Sequence, residues 1–140
     1  MRIIRIVLLA ALVPALGASV APVPAQAATA RSVLVEYRRQ GGFAGFDDRV
    51  VAYGNGCVRL SRRTGPVVNA CLTGKEERGL RAALKALRLG RSERPPQGAD
   101  FLRYTLAYKG HRATRYTLPK TWRPVVARLD AIMTKYWAPD

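Results

Sequence analysis

The stretch VLVEYRRQGGFAGFDDRVVAYGNGCVRL, Val33 to Leu60, decides the fold class of this 140-residue chain. Val33, Val35 and Tyr37 alternate with Leu34, Glu36 and Arg38, the period of a strand that buries one face. A glycine- and phenylalanine-bearing loop follows, and then Val50–Tyr53 and Val58–Leu60 read as two further strands. Between those two lies Gly54-Asn55-Gly56, residue types that accept the positive φ of a tight hairpin. The stretch therefore predicts three strands joined by two short turns.

The downstream sequence supplies the layer that such a sheet needs. Thr73-Gly74-Lys75-Glu76 has the spacing of a capping box, in which the Thr hydroxyl and the Glu carboxylate serve each other's backbone donors. Leu80, Leu84 and Leu87 then recur on one helical face. Glu76 and Glu77 in the first turn and Arg88 near the last suit the helix dipole, and Gly90 is expected to end the helix. The polar connection RSERPPQGA, 91–99, leads to Leu102, Tyr104, Leu106 and Tyr108, which alternate cleanly. Lys109-Gly110-His111 reverses the chain, so that Arg112–Leu118 returns as a second hairpin strand. Thr121 is expected to cap a final helix with Pro124 in its first turn. The apolar stripe of that helix is Trp122, Val125, Val126, Leu129, Ile132, Met133 and Tyr136. The order βββ-α-ββ-α predicts an α+β fold, an antiparallel sheet with both helices packed on one face.

The first 27 residues read as a signal peptide. Arg2 and Arg5 precede a short apolar run, and Ala25-Gln26-Ala27 fits the small-x-small cleavage rule. Pro14 breaks the run, which is too short to span a bilayer. The expectation is a secreted, extracellular protein whose single domain occupies 28–140. In an exported chain Cys57 and Cys71 are expected to form one disulfide. With the lone His111 they do not make a usual metal-ligand set, so no metal or cofactor is expected.

Charge and missing chemistry narrow the function. Removing the two leader arginines from 24 basic residues leaves 22 against 9 acidic ones, a net +13. Such a field attracts anionic partners. Arg38, Arg39, Arg49, Arg59, Arg62 and Arg63 would form one basic patch if the first three strands are adjacent. An enzyme is not expected. His111 sits in a turn, Asp47 and Asp48 point to opposite faces of a strand, and Ser32, Ser61 and Ser92 lack a nucleophile-elbow context. The glycine loop leads into a strand, which excludes a phosphate-binding P-loop. Within that loop, Phe43 and Phe46 are either lids folded back on the core edge or exposed anchors of the kind that dominate protein interfaces.

Gly41 to Gly45 ("GGFAG") follows a first strand. A middle helix, "ADFLRYTLAY" (Ala99 to Tyr108) with Asp100, Phe101 and Tyr104 at its strand entry, and a Pro-containing terminal helix come after it. In that order these features resemble the emfourin family, small bacterial protein inhibitors of protealysin and related thermolysin-like metalloproteases. The resemblance spans roughly Val33 to Ile132. It implies an α+β domain that occludes the cleft of a secreted zinc metalloprotease and performs no chemistry itself. It also implies that Gly41, Gly42, Phe43, Ala44, Gly45 and Phe46 are inhibitory contacts, or else a conformational motif in which Gly42 and Gly45 adopt backbone angles that only glycine tolerates. The chain departs from the family pattern in its export signal, its cysteine pair and its basic surface. The alternative is a cationic binding module for an anionic cell-wall polymer, lipid or nucleic acid. A serine-protease inhibitor ranks below both, because no reactive loop is tied down by two disulfides.

Overall fold

The computed structural model describes residues 31–98 and 100–137, so the leader read at 1–27 lies outside the described residues. The elements are β1 (Val33–Gly41), β2 (Phe46–Tyr53), β3 (Cys57–Ser61), β4 (Val68–Cys71), α1 (Gly74–Ala86), β5 (Leu102–Tyr108), β6 (His111–Arg115) and α2 (Arg123–Tyr136). The strands form one antiparallel sheet in the order β4-β3-β2-β1-β5-β6. The α+β class, the antiparallel sheet and the disulfide are as expected from sequence.

Strand alternation builds the core. Val35 and Tyr37, Val50 and Ala52, Val58 and Leu60, Leu106 and Ala113 turn to one side of the sheet. There they meet Leu80, Ala83 and Leu84 of α1 and the α2 stripe, with Trp122 fully buried. Both helices thus cover the same face. Glu76 clips them together, accepting from Lys135 Nζ at 2.6 Å and from the Tyr136 hydroxyl at 2.6 Å. The same carboxylate completes the capping box by accepting from the Thr73 N–H at 2.9 Å.

Several details differ from the sequence expectation, beginning with β2, which starts at Phe46 rather than Val50, and β6, which ends at Arg115 rather than Leu118. Four strands precede α1, because Val68–Cys71 pairs with β3 and sets Cys71 directly across from Cys57 in the disulfide. Helix α1 stops at Ala86 rather than at Gly90. The Arg88 side chain takes the carbonyls of Lys85 and Leu87, while the Arg88 carbonyl accepts from Trp122 Nε1 at 3.1 Å. These contacts draw the chain away from the helix axis. Thr121 does not cap α2, since its hydroxyl also donates to the Arg88 carbonyl, and Trp122 stands at the cap without a side-chain bond.

Replacing both cysteines by serine opens a crosslink across 14 residues. The expected loss is about 3 kcal/mol of unfolding free energy, read by denaturant titration. The Glu76 carboxyl is held down to about 2, from an ordinary 4.5, by Lys135, Tyr136 and the Thr73 backbone. A folded value below the unfolded one adds stability above pH 4.5 that disappears as the pH falls toward 2. Glu76→Gln is expected to lower the denaturation midpoint at neutral pH and to flatten its decline over that acid range.

Candidate functional site

The β1–β2 connection, residues 42–45, carries an exposed apex, Phe43 and Ala44, between two partly covered glycines. Gly41 pairs with Phe46, closing the hairpin, and the Gly45 N–H donates to the Gly42 carbonyl at 2.9 Å. The Gly42 N–H donates to the Phe101 carbonyl at 3.2 Å, which pins the turn to the start of β5. Gly41 and Gly42 adopt φ of +80° and +70°. A Cβ on Gly41 would stand 2.7 Å from the Phe101 carbonyl oxygen, and one on Gly42 would stand 2.9 Å from Leu102 Cδ2. Backbone angle and close approach both require glycine here.

The two loop phenylalanines part company. Phe43 is 97 % exposed at the turn apex, with Ala44 exposed beside it. Phe46 folds back on the helix side of the sheet, where the Arg39 guanidinium stacks 4.2 Å from its ring centroid. Phe43 therefore stands clear of the protein body, whereas Phe46, still 37 % exposed, lies against Arg39. The third phenylalanine, Phe101, lies against the same turn and is 45 % exposed. Beside it a cleft of about 210 Å³ is lined by Gly41, Pro95, Pro96, Phe101, Arg103 and Tyr116.

Under the turn lies a compact set of charges. Asp48, only 5 % exposed, accepts from Arg39 at 2.6 Å and lies 3.7 Å from Arg62. Arg39 also reaches Asp130 of α2 at 3.7 Å, and Asp130 accepts from the Tyr37 hydroxyl at 3.0 Å. Burial pushes the Asp130 carboxyl above its ordinary value, against the pull of Arg39 and the Tyr37 hydrogen bond. Burial also raises Tyr37, with the Asp130 charge adding to the effect, so its phenol keeps its proton. Desolvation opposes the Arg39 charge, but the Asp48 hydrogen bond and the Asp130 charge outweigh it and raise Arg39. Arg62 lies over the Trp137 ring at 4.5 Å, adding the end of α2 to the assembly.

The six arginines of the expected basic patch fall into separate groups. Arg38, Arg49 and Arg59 project from the face that carries no helix, whereas Arg39 and Arg62 belong to the charge set on the helix side. Arg63 lies near Gly45, at the rim of the turn. Arg103 and Arg112, which the sequence reading left out, join Arg38 and Arg49 on the open face through the β1–β5 and β5–β6 pairings. Among the described residues, no three His, Cys, Asp or Glu side chains converge as a metal-ion site. His111 is exposed at the opposite end of β5 from Phe101. Compared with known proteins, the chain matches no family model, no curated protein and no solved structure.

Gly42→Ala is expected to lower unfolding free energy by about 1–2 kcal/mol, the cost of a side chain in a left-handed backbone conformation. Phe43→Ala should leave the denaturation midpoint within about 0.5 kcal/mol of the parent, because nothing packs on that ring.

Proposed function

We propose that this protein is a secreted inhibitor of an extracellular thermolysin-like zinc metalloprotease, acting by occluding the active-site cleft. The observation that carries the reading is Phe43, a large apolar side chain fully in solvent on a turn braced from two sides. A phenylalanine in that position contributes nothing to the core. Its burial in a partner's pocket would contribute about 1.5–3 kcal/mol. Fixed glycine geometry below it spares the ordering cost that would otherwise subtract from affinity. The emfourin-like order of motifs in the sequence supports the choice of partner, and the apolar clefts of such proteases suit a phenylalanine.

Charge adds a kinetic component. The strong positive excess steers the domain toward an acidic partner, so the association rate should fall steeply as salt is added.

The test is peptide hydrolysis by a thermolysin-like protease in the presence of purified residues 28–140. The expected result is stoichiometric inhibition by the parent and about 30-fold weaker inhibition by Phe43→Ala, the loss of one interface anchor. Full protease activity beside an excess of the folded parent removes the reading. Inhibition unchanged in Phe43→Ala removes the turn as its site.

A further inference from the structure

The uncovered face of the sheet carries a feature that the turn does not explain. Arg59 on β3, Arg49 on β2, Arg38 on β1 and Arg103 on β5 lie on four adjacent strands and project from the same side. Arg38 stands directly across from Arg49 in the register, while Arg59 and Arg103 are each one alternate position away along their neighbours. With strands about 4.8 Å apart, the four guanidinium groups form a continuous slanted stripe.

Its charge is only partly offset. Glu36 accepts from Arg49 at 3.0 Å and Asp47 accepts from Arg38 at 3.0 and 3.2 Å. Arg103 has only the neutral Gln40 amide as a side-chain partner, and Arg59 has no side-chain partner among the described residues. Like charges directly opposite each other destabilise a sheet. In the Arg38–Arg49 pairing that repulsion is met by Glu36 and Asp47, so the charge without a carboxylate hydrogen-bond partner rests on Arg59 and Arg103. Val51, buried on this face between Arg59 and Glu36, shows the long side chains lying along the sheet rather than extending freely from it.

We infer that this stripe binds a linear phosphodiester polymer of the polyol-phosphate kind. The planar, forked guanidinium matches a phosphate oxygen pair better than an ammonium does. A regular row of such groups on a flat surface suits a regularly repeating anion. No aromatic side chain stands directly across from any of the four arginines; their partners are Ser61, Val51, Asn69, Thr105 and Gln40. Aromatic rings stand only toward its ends, Tyr53 one alternate position beyond Val51 on β2 and Tyr116 lining a cleft with Arg38 and Arg103, so the middle of the stripe lacks the run of stacking platforms that single-stranded nucleic acid uses. The inference stands apart from the inhibitor reading, because Arg49 and Arg59 lie on the sheet face and not in the turn.

Isothermal titration of residues 28–140 with synthetic poly(glycerol phosphate) tests it. The expected result is binding whose log K falls against log salt with a slope of about −3, from four phosphate contacts. The double variant Arg49→Gln/Arg59→Gln should bind about tenfold more weakly with about half that slope, while inhibiting a protease as the parent does. A control of equal net charge on α1, Arg78→Gln/Lys85→Gln, should bind as the parent does. Equal loss in the control would reduce the effect to overall charge and overturn the proposal. So would absence of binding by the parent at 50 mM salt, or equal or tighter binding to poly-L-glutamate, duplex DNA or phosphatidylglycerol vesicles.

Discussion

Strand β1 is hydrogen-bonded along both edges, to β2 on one side and β5 on the other, and its pleat assigns every surface feature to a side. Val35, Tyr37 and Arg39 face the helices, whereas Glu36, Arg38 and Gln40 face away. A slip of one residue would exchange the two sets, placing Arg38 in the core and Tyr37 in solvent. Burial of Val35 and Tyr37, both fully inaccessible, sets the register against that slip. The same register delivers Gly41 opposite both Phe46 and Leu102, and so places the turn where Phe101 can pin it.

At the turn end of the sheet, the apolar layer gives way to charge. Arg39 and Asp48 occupy the next inward-facing positions after Tyr37 and Val50, directly across from each other. Replacing such a pair by apolar residues often costs a protein nothing, whereas removing one partner leaves a buried charge exposed to no compensation. What the pair does here is geometric. Arg39 touches Phe46, Asp48 and Asp130 together, so one side chain couples the base of the hairpin to α2. An apolar contact could fill that space, but it would not hold direction as a forked guanidinium does. The charges therefore tie the base of the hairpin to α2.

The parts legible in the sequence are those encoded by local period and local turn chemistry. The alternation in β1 and β5, the Gly54–Gly56 hairpin, the Thr73–Glu76 box and the α2 stripe all needed only neighbours within a few residues. The cysteine pair places the segment after Pro66 against β3, but its four residues carry too little alternation to read as a strand of their own. The end of α1 was misplaced because Arg88 answers to Trp122, a contact 34 residues away that overrides the glycine signal. Splitting the arginine patch was within reach, since adjacent Arg38 and Arg39 cannot share a strand face. Adding Arg103 to it was not, because Gln40 and Arg103 are 63 residues apart and meet only through the β1–β5 pairing. Asp130 gave no signal at all, as an acid beside Leu129 on an amphipathic helix reads as solvent-facing.

The turn and the stripe meet at one residue. Arg103 is the stripe's last arginine on the way to the turn, and it also lines the cleft beside Phe101. Arg103 donates to the neutral Gln40 amide oxygen and lies in the field of the Asp47 carboxylate, and its guanidinium keeps donors for whichever partner arrives. A polymer lying along β3, β2 and β1 therefore ends against the surface that a protease would cover. The two proposed occupants would overlap at Arg103 alone. On the two proposed readings, attraction of an acidic protease and retention on an anionic polymer would draw on the same positive field. Specificity has to come from shape, an apolar anchor at the apex in one case and regular guanidinium spacing in the other. The pleat of β1 puts the Arg38 side of that stripe on the open face, while the apex phenylalanine stands on the turn beyond the strand's end.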